Sequence, residues 1–189
     1  MTMQQDIEKA VSVMRQGGLI AYPTDTVWGI GCDATNSDAV RRVYALKRRA
    51  DSKALITLVG SPEMLAHTVG EIPEEAAGLI QSSGRPVTVV YPHARGLAPE
   101  LLAPDGSAGV RLTREAYSAG LCEALGAPVV STSANVSGQS TPGFYAGIPQ
   151  EILDGVDYVA MFRRDDNTAA LPSMVVKLAG DGTMTILRP

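Results

Sequence analysis

An α/β fold built on a mixed sheet is what this sequence predicts, and three observations carry the prediction. Short apolar runs of strand length recur at 19–22, 55–59, 87–91, 109–112 and 129–131. Stretches of helical periodicity separate several of them. The chain then ends on two further apolar runs, 174–178 and 184–187, flanking Asp181-Gly182, a pair suited to a tight antiparallel hairpin. Alternation favours parallel pairs and the hairpin an antiparallel one, so a twisted mixed sheet with helices on its faces follows. With 189 residues, no internal repeat and no low-complexity linker, the expectation is one domain spanning 1–189.

The elements follow in order. Ile7, Ala10, Val11 and Met14 recur at helical spacing until Gly17 and Gly18 stop them. The strand 19–22 runs directly into Pro23-Thr-Asp-Thr26, a polar segment of the kind on which sites are built. Asn36 or Ser37 can cap a helix reaching about Arg48, and Pro62 and Pro73 suit first-turn positions of two more helices. A helix over 115–125 is closed by Gly126. The Gly/Pro-rich stretch 92–109 is long for a loop and reads equally as a mobile flap or as a surface excursion.

Composition narrows the functional classes. A hydrophobic fraction of 45% with 19% charged residues describes a packed globular chain. A net charge of −4 lacks the basic footprint of a protein devoted to nucleic acid. Cys32 and Cys122 lie in no metal-ligand spacing and define no disulfide framework, and residues 1–9 lack an apolar signal core. No apolar run approaches the roughly 20 residues that span a bilayer. A cytoplasmic protein without a membrane partner is expected.

Three segments gather groups suited to polar or phosphorylated ligands. In Tyr22-Pro-Thr-Asp-Thr-Val-Trp-Gly29, the glycines that follow permit close backbone approach and Thr24 and Thr26 offer hydroxyls, although turn chemistry alone accounts for such a pattern equally well. In Lys47-Arg-Arg-Ala-Asp-Ser-Lys53, four cations in seven positions can oppose a triphosphate, and they also suit the negative end of a helix. In Pro128-Val-Val-Ser-Thr-Ser-Ala-Asn-Val-Ser-Gly138, an apolar strand empties into hydroxyls, an amide and backbone N–H groups able to cradle phosphate. Arg111, inside an apolar strand, needs an anionic partner if buried. His67 and His93 have no ligand-like neighbours, so no metal site is expected.

Together and in order, seven blocks of this chain resemble the YrdC/Sua-type family of threonylcarbamoyl-adenylate synthases. They are Tyr22 to Gly29, Lys47-x-Arg49-x-x-x-Lys53, Pro86-Val-Thr88, Val110-Arg111, Ser131 to Gly138, Pro172-Ser-Met-Val-Val176 and Ile186-Leu-Arg-Pro189. The resemblance implies a concave central cavity, and a reaction of ATP, L-threonine and bicarbonate that yields threonylcarbamoyl-AMP and pyrophosphate for tRNA modification. It implies that Thr26, Arg111 and Ser131 hold threonine and that Lys47, Arg49 and Lys53 are the catalytic cations at the phosphates. Thr88, Ser133, Asn135 and Thr141, with Arg49 and Lys53, then bind ATP. Mg2+ is expected to arrive with ATP, since no carboxylate cage is visible. The product would pass to a separate threonylcarbamoyl transferase, with weak tRNA or double-stranded RNA binding as a further expectation.

Two positions depart from the family's pattern. Gly84-Arg85-Pro86 stands where Pro-Gly-Pro is usual, and Met174 where a small hydroxyl residue is common, which predicts altered loop geometry and a lost contact.

Overall fold

The computed structural model describes residues 1–48, 55–168 and 172–189. Helix α1 (Met3–Arg15) starts on a capping box, in which Thr2 accepts from the Gln5 amide and the Gln5 side chain returns to the Thr2 amide. Strand β1 (Ile20–Tyr22) follows, then β2 (Gly29–Gly31), and α2 (Ser37–Lys47) begins on an Asn36 cap and ends at Arg48 in the left-handed conformation. Next come β3 (Ile56–Val59), α3 (Pro62–Val69), α4 (Glu74–Ser82), β4 (Val87–Tyr91), β5 (Ala108–Leu112), α5 (Ala116–Leu125) and β6 (Val129–Ser133). A short α6 (Gln150–Gly155), β7 (Tyr158–Val159), β8 (Met174–Leu178) and β9 (Met184–Arg188) complete the chain.

Among the described residues the strands form one sheet in the order β7-β1-β2-β6-β3-β5-β4-β8-β9. The pairs β1/β7, β3/β5 and β4/β8 are parallel and the others antiparallel, so the predicted mixed sheet is present. The expected terminal hairpin forms around Gly182, whose φ of 87° suits the turn.

Two apolar clusters hold the fold. One packs α1, α2 and α5, through residues such as Met14, Val43 and Leu121, onto strand residues including Tyr22, Ile30 and Val130. The other packs Leu65 and Val69 of α3 onto Val87, Val89, Tyr91, Val110 and Val176. In β4, β5 and β8 the alternation of side chains sends these residues to one face and their neighbours Thr88, Val90, Arg111 and Val175 to the other, where a cavity opens.

Several elements differ from the sequence reading. Strand β2 was legible only as a glycine-rich polar segment, because three residues give no periodicity to detect. Its Gly31 lies where a Cβ would sit 2.6 Å from both the Tyr22 ring and the Val130 carbonyl oxygen. Gly31→Ala is therefore expected to cost about 1–3 kcal/mol by overpacking. For a domain of this size that lowers Tm by roughly 2–12 °C in calorimetry. Gly84→Ala is the control, since nothing lies within 4 Å of its Cβ position.

Pro73 occupies the N-cap of α4 while Pro62 takes the first turn of α3, and β6 runs two residues further than expected. The 92–109 stretch is a packed excursion. Its Ala98 and Leu101 are buried, and backbone bonds tie Arg95 to Thr68 and Ala98 to Ala34. No helix among the described residues is long and apolar enough to cross a membrane.

Candidate active site

The cavity on the polar face of the sheet measures about 350 Å³. Thr26, Thr88, Arg111, Ser131, Ser133 and Thr141, six of the residues singled out in the sequence, line it together. Gly109 is part of the floor, and its hydrogen in place of a side chain leaves room beside the Thr88 methyl group.

The turn after β1 builds one end. The Thr24 hydroxyl donates to the Val27 carbonyl at 2.8 Å, so in its 3.0 Å contact with the Thr26 hydroxyl it is Thr26 that donates. The Thr26 oxygen is thus left as an acceptor, and Arg111 Nη2 lies 3.4 Å away. Arg111 is 3% exposed and forms an ion pair with Asp25 at 3.0 Å. Asp25 Oδ1 and Arg111 Nε have no further hydrogen-bond partner among the described residues. Burial raises the Asp25 carboxyl above the usual range and the Arg111 charge acts against it. A buried guanidinium with an unspent N–H beside a cavity is prepared for an anion.

The end of β6 builds a second wall, and Lys47, expected from the family resemblance among the catalytic cations, is bonded to it. Lys47 does not line the cavity. It is 1% exposed, and its Nζ donates to the carbonyls of Ser133 at 2.5 Å and Asn135 at 2.7 Å. Its own carbonyl accepts from the Ser137 amide. The helix end therefore braces the loop that carries the hydroxyls. Asn135 likewise turns inward, giving its amide hydrogens to Val136 and Gln139 carbonyls. Arg48 is exposed and pairs with Glu151. Arg49 and Lys53 lie outside the described residues.

A third wall was missed as a site. Arg188 donates to the Ser173 carbonyl through Nε at 3.0 Å and Nη2 at 2.8 Å, and the Ser173 hydroxyl meets that of Thr88 at 2.9 Å. All three line the cavity. A register irregularity between Val175 and Val176 sets Arg188 opposite Val175, on the cavity face. Burial, and to a smaller degree the Arg111 charge, lowers the Arg188 pKa. Arg111 and Arg188 both line the cavity, and although Asp25 pairs with Arg111, no acidic side chain among the described residues lines it, an arrangement suited to an anionic ligand. The available signal was the block 186–189, read only as part of a family pattern. Met174, by contrast, packs against the second apolar cluster, so its departure from the family removes no cavity hydroxyl; the hydroxyl there belongs to Ser173.

No group of three or more acidic, histidine or cysteine side chains suited to a metal occurs among the described residues. The cavity offers hydroxyls and guanidinium groups in its place.

Sheet, cavity and the two arginines define an α/β protein with a candidate site whose hydroxyl and guanidinium lining comes from strand ends far apart in sequence. The family model of the Sua5/YciO/YrdC type, described as "Telomere recombination", matches residues 12–189, and the chain belongs to that family. It is 40% identical over 132 residues to the threonylcarbamoyl-AMP synthase of Halorhodospira halophila, covering 69% of each chain. It is 34% identical over 174 residues to that of Xanthomonas euvesicatoria, covering 90% of this chain and 91% of the relative. Among solved structures, P. abyssi Sua5 complexed with L-threonine superposes with a TM-score of 0.86 at 26% identity, covering 98% of this chain. The chain spans only 54% of that protein's length. E. coli YciO shares the fold, with a TM-score of 0.83 at 24% identity over 98% of this chain and 89% of YciO.

Proposed function

We propose that this chain is a threonylcarbamoyl-AMP synthase, a nucleotidyltransferase acting on ATP, L-threonine and bicarbonate for the N6-threonylcarbamoyladenosine modification of tRNA position 37. One observation carries the reading: a single cavity joins an acceptor hydroxyl and a buried arginine at one end to a second arginine and a row of hydroxyls along the other walls. The names of the relatives and the threonine complex of a Sua5 protein support the same choice.

In this reading the carboxylate of threonine meets Arg111 and its polar groups meet the Thr26 oxygen, with Ser131 beside them. Threonine and bicarbonate condense, losing water, to N-carboxythreonine. The new carboxylate attacks the α-phosphorus of ATP, the bond to the β-phosphate oxygen breaks, and pyrophosphate leaves. The protein's share is alignment and charge balance. Arg188, Thr88, Ser133 and Thr141 serve the nucleotide side, Arg49 and Lys53 are assigned to its phosphates, and Lys47 and Asn135 hold the β6 loop in place. Mg2+, carried by ATP, would neutralise phosphate charge, with cavity hydroxyls as the protein groups suited to approach it. The product is then substrate for a separate transferase, and weak tRNA or double-stranded RNA contact would be an accessory property.

The test is to follow pyrophosphate from purified protein given ATP, with threonine and bicarbonate supplied or withheld. Release is expected only with both present, because the attacking carboxylate requires both. Equal release without threonine would overturn the reading.

A further inference from the structure

We propose that Arg163 is a positioning residue for the threonine end of the cavity, clamping the Thr24–Thr26 turn to Glu115 at the start of α5 and to Asp166. The proposal rests on the reading of that end as the amino-acid site.

Arg163 is a non-glycine residue held at φ 59°, a left-handed conformation that side chains with a Cβ rarely adopt. Such strain persists where the surroundings fix it. Here the fixing is visible. Asp6 of α1, almost wholly buried, accepts from the amides of Met161 at 2.9 Å and Phe162 at 2.8 Å. The Phe162 ring stacks on Tyr117 at 5.5 Å between centroids. The backbone is thus pinned immediately before Arg163.

The guanidinium spans three elements. Nη1 donates to the Thr24 carbonyl at 3.1 Å and stands 3.8 Å from Glu115 Oε1. Nε and Nη2 engage Asp166 Oδ2 at 2.9 and 2.8 Å. Asp166 in turn accepts from the Thr168 amide at 2.9 Å. Arg163 itself does not line the cavity. Its effect on ligand therefore passes through Thr24, whose hydroxyl sets the hydrogen-bonding direction of Thr26. The guanidinium spreads its donors, Nη1 to the carbonyl and Nε with Nη2 to the carboxylate, a span that a single ammonium nitrogen does not reproduce.

Two variants and two readouts test this in the full chain. Arg163→Gly accepts the left-handed backbone and deletes every clamp contact, and Arg163→Lys keeps the charge without the fork. Both are expected to raise KM for threonine on the order of tenfold, with KM for ATP within about twofold of the parent. Trp28 follows the turn directly and is buried against Tyr145, so its emission in the free protein should become more open to acrylamide quenching. Unchanged threonine KM and unchanged quenching, or equal increases in both KM values, would overturn the clamp. Should Arg163→Gly fail to fold, Arg163→Lys decides by the same measures. An error in the functional reading shows separately, as absence of threonine dependence in the parent protein, and Trp28 quenching still decides whether the turn is clamped.

Discussion

Replacing Lys47 by Met should abolish measurable adenylate formation and lower Tm together. Methionine keeps the length of the stem but removes the donor, so the Ser133 and Asn135 carbonyls lose the charged hydrogen bonds that hold them. An acceptor stranded in a buried site costs about 1–3 kcal/mol. Relief from burying an ammonium offsets part of this, leaving a net loss of about 2–4 kcal/mol. At roughly 2–4 °C per kcal/mol for a chain of this length, Tm should fall on the order of 10 °C. ATP affinity should fall with it, because the Ser133 hydroxyl, assigned to the nucleotide side, is carried by the strand end that Lys47 braces. A phosphate clamp, which the sequence alone suggested, would lose ATP binding with Tm almost unmoved. Differential scanning calorimetry beside ATP titration distinguishes the two.

The second large effect is expected at Arg111. Arg111→Met removes the charge-assisted contact proposed for the threonine carboxylate, worth about 1.5–3 kcal/mol, and threonine affinity should fall roughly 10- to 150-fold. It also leaves the partly buried Asp25 without its cation. The Asp25 carboxyl is already raised in the folded protein, and loss of the arginine raises it further. A carboxyl raised on folding is penalised when ionised, so the penalty is present at pH above the folded pKa. It disappears below both folded and unfolded pKa values, where the carboxyl is neutral in either state. The variant's stability deficit should therefore shrink as pH falls through that raised pKa. Arg111→Met with Asp25→Asn should recover stability without recovering threonine binding. A deficit that grows on acidification would contradict the pairing.

These two residues mark where reading the sequence succeeds and where it stops. Arg111 was legible because a cation inside an apolar strand needs a partner, and period-two alternation sends it to the face opposite Val110 whatever the fold's details. The principal strands, the helix caps at Asn36 and Gly126 and the terminal hairpin were legible for the same reason: they are set by neighbours a few positions away. Thr26, Thr88, Ser131, Ser133 and Thr141 were named by family likeness, and the fold places them around one cavity.

Lys47 and Arg188 were not legible, although both belong to recognisable blocks. Whether a lysine at a helix end meets a ligand or a carbonyl depends on a loop 86 residues later in the chain. The role of a penultimate arginine depends on a register irregularity in an edge hairpin. By itself, then, the sequence determined which segments alternate, where they turn and which family they resemble, since local sterics and hydrophobic periodicity act along the chain. Only the tertiary structure decided which polar groups face the cavity and which are spent on one another, because a buried donor bonds to whatever acceptor folding brings within 3 Å.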